Sequence, residues 1–168
     1  MQLIRCTQKL LKELKTKPSK IEPLRSLLGG WHANLFFVER RKCVLITNDS
    51  TLYTIFIPFL TKPDFQNFSL VFGQNLFKNL LHEGFNQNQI ETVLDEHETI
   101  KYSKTNNRSV LGSMNDQKFQ LEYHIYDYGG LQSTPVYELN GKLNRNILSA
   151  IELGYPIDML REKLKNYT

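Results

Sequence analysis

Asn34-Leu-Phe-Phe-Val-Glu39, Lys42-Cys-Val-Leu-Ile-Thr-Asn48 and Leu52-Tyr-Thr-Ile-Phe-Ile-Pro58 decide the fold. All three runs are rich in β-branched and aromatic residues, and short polar turns separate them. Arg40-Arg41 falls at one turn and Asn48-Asp49-Ser50 at the next, so the spacing predicts an antiparallel meander over about 33–58. The runs are apolar on both alternating faces, which requires cover on both sides of the sheet.

Outward from this core the pattern turns helical. On the N-terminal side, Leu3–Thr7 reads as a strand. Leu10, Leu11 and Leu14 then lie among lysines, as in a short amphipathic helix. A loop follows over Lys17–Glu22, with Pro18 near its start and Pro23 just after it, and Gly29-Gly30 closes a short helical turn. On the C-terminal side, Pro63-Asp64 opens a helical stretch that Gly84 stops. Asn86–Leu94 makes another helix, and Thr99–Ser103 a short strand. From Arg108 two periods compete. Leu111, Met114, Lys118, Leu121 and Ile125 fit a helix, whereas Phe119, Leu121, Tyr123 and Ile125 alternate as a strand does. The helix over about 108–128 is the preferred reading, because Gly129-Gly130 follows in the usual C-terminal position. Helices near 135–143 and 156–165 complete an α+β domain whose central antiparallel sheet is covered by helices.

The totals agree with one globular domain over residues 1–168. A chain of this length buries roughly 70% of its unfolded surface, and 40% hydrophobic with 23% charged residues excludes a disordered chain. The net charge of +4 permits an anionic partner without requiring one. Two cysteines, Cys6 and Cys43, are too few for a secreted disulfide scaffold and are expected to be reduced. No run of 18 apolar residues and no signal-peptide pattern is visible, so the expected location is the cytoplasm, away from membranes.

The chemistry-bearing stretch is Lys104-Thr-Asn-Asn-Arg-Ser-Val-Leu-Gly-Ser-Met-Asn-Asp116. It reads as a polar helix N-terminus anchored by Val110, Leu111 and Met114. Such an end presents free N–H groups and a favourable dipole to an anion. Arg41, Lys104, Asn107, Arg108 and Ser109 are the candidate anion- or nucleic-acid-binding residues, within a basic constellation that also includes Arg5, Arg40 and Lys42. The competing structural account is that Asn107 or Ser109 caps the helix, Arg108 pairs with Asp116 or a neighbouring carboxylate, and Arg40–Lys42 is a solvated turn.

No catalytic residue can be assigned. Ser109 lacks a base nearby in sequence, and the stretch lacks P-loop spacing. Cys6, Cys43, His32, His82, His97 and His124 show no metal-ligand spacing, so neither a metal nor a cofactor is expected. Glu91, Asp95, Glu96 and Glu98 read as a solvated acidic helix face. Trp31, Phe36, Phe37, Tyr53 and Phe56 read as core.

Four segments together resemble an uncharacterised bacterial domain family: Ile4-Arg-Cys-Thr-Gln-Lys-Leu-Leu11, Trp31-His-Ala-Asn-Leu35, Arg40-Arg-Lys-Cys-Val-Leu-Ile-Thr-Asn48, and the 104–116 stretch. The resemblance covers most of the chain. It implies a bacterial setting linked to plasmids or mobile elements, and it carries over no activity and no residue roles. Three function classes remain open: a binding module for nucleic acid or a phosphorylated ligand, a small hydrolase or nuclease of a plasmid maintenance or defence system, and an antitoxin-like subunit that binds only protein.

Overall fold

A computed structural model describes residues 1–20, 25–151 and 154–168. Its centre is a five-stranded sheet built from β1 (Gln2–Cys6), β2 (Trp31–Val38), β3 (Arg41–Asn48), β4 (Thr54–Ile57) and β5 (Ile100–Lys104), in the order β4-β3-β2-β1-β5. Strands β2, β3 and β4 pair antiparallel, as the three β-rich runs require. The sheet is nevertheless mixed and not wholly antiparallel, because β1 lies parallel to both β2 and β5. A parallel pair needs a long crossover. The segment between β1 and β2 supplies one, through α1 (Gln8–Leu14).

Helices cover both faces, and the pleat sorts the core into two layers. Ile4, Cys6, Trp31, Ala33, Val44, Ile46 and Ile55 face α1, α2 (Lys62–Gln66), α3 (Phe68–His82), α4 (Gln87–Asp95) and α7 (Pro156–Leu164). Phe36, Val38, Cys43, Leu45 and Phe56 face α5 (Arg108–Asp127) and α6 (Val136–Leu143). The two cysteines therefore lie on opposite faces of the sheet, both free and buried. Burial raises the Cys6 thiol to about 12 and the Cys43 thiol to about 11.

The long helix α5 settles the competition between periods. Val110, Met114, Leu121 and Ile125 are buried at helical spacing, and Phe119 and Tyr123 point to solvent. The chain leaves α5 through Gly129 (φ 90°) and Gly130 (φ 116°), a region that side chains with a Cβ avoid. Gly130 also lies close under the Glu39 carboxylate, which accepts the Leu131 N–H at 3.1 Å. Glu39 and Arg40 themselves have φ of 48° and 64°, so the β2–β3 turn is a tight one formed without glycine.

Among the described residues no strand pairs with the outer edge of β4, and side chains from α6 and its C-cap Asn144 close it. Asn144 Oδ1 accepts the Thr54 N–H at 2.7 Å and its Nδ2 donates to Thr54 O at 2.7 Å. One turn earlier, Asn140 Oδ1 accepts the Phe56 N–H at 2.9 Å. The two amides thus substitute for a sixth strand.

Two sequence readings are corrected. Residues 25–28 form no helical turn before Gly29. Instead the Leu27 and Leu28 N–H groups donate to the Glu96 carboxylate, so Glu96 anchors a loop and does not belong to a solvated acidic face. The loop expected over Lys17–Glu22 with Pro23 beyond it runs into residues 21–24, outside the described residues.

Candidate functional site

The ends of β1 and β5 are where neighbouring parallel strands part company. β1 leads into α1 on one face of the sheet, and β5 leads into α5 on the other. In sheets of this kind, ligand sites form outside the carboxyl ends of two such strands. Here those ends carry Thr7 and the segment Lys104–Ser109.

Asn107 is the α5 cap. Its Oδ1 accepts the N–H groups of Ser109 (3.0 Å) and Val110 (3.2 Å), leaving Ser109 as an exposed first-turn residue. Lys104 and Arg108 are exposed, and neither has an ion-pair partner among the described residues. The alternative pairing of Arg108 with Asp116 is not formed.

The rest of the basic constellation disperses. Lys42 pairs with Glu13 at 2.5 Å on the α1 face. Arg41 lies over the Phe59 ring, 5.7 Å from its centroid. β2 runs five residues past its Ala33–Cys6 partnership before it meets Arg41, and β3 is three strands from β5. At about 3.3 Å per residue and 4.8 Å per strand, Arg41 sits roughly 20 Å from Lys104. Arg41 therefore does not join Lys104, Asn107 and Arg108.

Arg5 belongs to a partly buried network beneath the site. Ser103, Arg5, His32, Thr47 and Thr54 are register partners across all five strands, forming a polar row on the α5 face. Arg5 pairs with Asp49, whose second oxygen accepts from His32 Nδ1 at 2.6 Å. This sets the proton of the fully buried imidazole on Nδ1 and leaves Nε2 as an acceptor for the Asn106 N–H at 3.5 Å. The loop carrying Lys104 and Asn107 is thereby tied to the sheet. Gly30 makes the room, since a Cβ there would stand 2.3 Å from Arg5 Nη1 and 2.9 Å from Asp49 Oδ2.

Sequence reasoning missed Asp49 and Gly30 and weighed His32 only as a metal ligand. The available signal was a charged and an imidazole side chain inside otherwise apolar strand sequence. Among the described residues, no group of three or more His, Cys, Asp or Glu side chains is arranged to hold a metal ion. No described helix is long and apolar enough to cross a membrane.

Fold and site together define an α+β domain with a mixed sheet and a cationic, side-chain-capped helix end at the point where β1 and β5 diverge. The chain belongs to the family described as Domain of unknown function (DUF6933), whose model matches residues 3–159. No curated protein matches it.

Proposed function

We propose that the α5 N-terminus binds a phosphate group, and that the protein is a binding module for nucleic acid or a phosphorylated ligand in a bacterial setting linked to plasmids or mobile elements. The observation that carries this is Arg108, an exposed cation in the first turn of a 20-residue helix, with exposed Lys104 four residues before it at the end of β5, both without carboxylate partners among the described residues. Asn107 satisfies two first-turn amides, and the helix dipole with the two cations favours an incoming anion. The His32–Asp49 pair supports a hydrolase less well, because His32 is fully buried and its second nitrogen faces a backbone amide.

The test is binding of labelled single-stranded and duplex nucleic acid at about 50 and about 200 mM salt, with thermal unfolding in phosphate alongside. Wild type is expected to bind in a salt-dependent way. Lys104→Ala and Arg108→Ala should each weaken binding, and each should reduce the salt slope by about one. Since Arg108 holds no ion pair among the described residues, Arg108→Ala should change stability by no more than about 0.5 kcal/mol. Absence of salt-dependent binding together with absence of stabilisation by phosphate overturns the reading.

A further inference from the structure

Helix α5 turns a second chemistry outward. Arg108, Gly112, Asn115, Phe119, Tyr123 and Tyr126 recur at the helical period on one solvent-exposed face. Phe119 is 73% exposed, Tyr123 62% and Tyr126 84%, so three aromatic rings in succession lack cover. Gly112 is also unexplained within the chain. Its φ is not positive, and nothing lies within 4 Å of where its Cβ would be. Glycine inside a helix is destabilising relative to alanine, so neither backbone strain nor internal packing calls for it.

The face is divided by size and by charge. Its N-terminal half carries small residues, Gly112 and Asn115, with Arg108 at its start and Asp116 at its side. Its C-terminal half carries the three rings, flanked by Glu122 and Asp127. Arg108 and Asp127 have no ion-pair partners among the described residues, and Glu122 has only Lys118, at 3.8 Å. We infer that this face docks against the same face of a second copy, the two α5 helices crossing antiparallel about a two-fold axis level with Asn115 and Phe119.

That arrangement places Phe119 of each copy beside Asn115 of the other. Tyr123 lies over the space left by Gly112, and Tyr126 reaches Arg108 with Glu122 and Asp127 near it. Large meets small and cation meets acid twice, as a two-fold contact requires. Antiparallel helix dipoles add to the same sense. Phe119 lies at the centre of the face, and tyrosine and arginine, the residue types that dominate association energy when buried, flank it as Tyr123, Tyr126 and Arg108. The acids beside the rings disfavour a polyanion along this half of the helix. A contact built on one helix pair is small, so the dimer should be concentration-dependent.

Analytical ultracentrifugation over a concentration series tests the inference. Wild type should associate to a dimer. Phe119→Ser and Tyr126→Ser should each weaken association roughly tenfold or more while circular dichroism and melting stay unchanged. Arg108→Glu should weaken it too, and adding Glu122→Lys with Asp127→Lys should restore it. Phe77→Ser, in the exposed apolar face of α3, should leave it intact. Asn115→Cys should crosslink with a short bis-maleimide, whereas wild type, with both cysteines buried, should not. A wild type that stays monomeric at every concentration overturns the inference. So does a dimer that ignores Phe119 and falls apart with Phe77→Ser, or one that Cys at 115 cannot crosslink. The two readings share Arg108, and two variants separate them: Lys104→Ala should weaken anion binding and leave association intact, whereas Tyr126→Ser should weaken association and, by releasing Arg108, should not weaken anion binding.

Discussion

Asn144→Ala removes one half of the closure on β4, and its cost can be worked from the contacts. Asn144 is fully buried and makes three hydrogen bonds: from Thr54 N–H, to Thr54 O, and to Asn140 O. Thr54 is itself fully buried, so alanine leaves its N–H and carbonyl without partners and out of reach of bulk water. Each orphaned group costs about 1–3 kcal/mol, and the two share one site, so a total near 3–4 kcal/mol is expected. For a domain of this size that is about 6–16 °C in melting temperature. Urea unfolding of wild type and variant, fitted with a common slope, reads the difference directly. Asn144→Asp sharpens the test. A carboxylate still accepts from Thr54 N–H but opposes the Thr54 and Asn140 carbonyls, and only the protonated form can donate, to one of the two. The folded pKa of Asp at 144 is therefore raised, and the variant should be most stable below its unfolded pKa and lose stability as pH rises through the folded value. A loss below about 1 kcal/mol for Asn144→Ala would show that water or local rearrangement replaces the amide, and the closure argument would fail.

Two further outcomes are expected. His97 packs against Trp31 and Phe72 with Nδ1 on Val93 O, and burial lowers its pKa to about 4 from 6.5. The unfolded chain then binds the extra proton between those values, so acidification from pH 6.5 towards 4 should cost stability, and His97→Phe should flatten that part of a urea-unfolding pH profile. Gly30→Ala should push Arg5 off Asp49 and destabilise by about 1–3 kcal/mol, with a much smaller effect when Arg5 is already alanine; equal effects in both backgrounds would refute the assigned role of Gly30.

The parts of the fold visible in the sequence were those with local causes. Three β-rich runs joined by short turns became β2, β3 and β4, because hairpin pairing is decided by neighbouring residues. Helix α5 was legible from its apolar spacing and its terminal glycines, and Asn107 from its place before that helix. The parallel placement of β1 between β2 and β5 was not legible. It joins Ile4 to Trp31 on one side and Tyr102 on the other, partners set by the packing of whole layers. The candidate site divided along the same line. Lys104, Asn107, Arg108 and Ser109 are sequence neighbours and stayed together. Arg41 left the group because β2 and β3 extend past the end of β1. Arg5, His32 and Asp49 could not be joined without knowing the register.

The side chains that close β4 come late in the chain. Asn140 reaches a strand residue 84 positions earlier, and Asn144 one 90 positions earlier. On a ribosome making about 5–20 residues per second, β4 therefore emerges well before its cover and waits several seconds with open amides and carbonyls. During that interval the nascent sheet offers a template to any other extended segment, including the same strand on a neighbouring ribosome. Truncation ahead of residue 140 should consequently yield inclusion bodies and not a smaller soluble domain. The segment from residue 140 onward is thus expected to guard against misassembly during synthesis, a duty distinct from any contribution it makes to the finished fold.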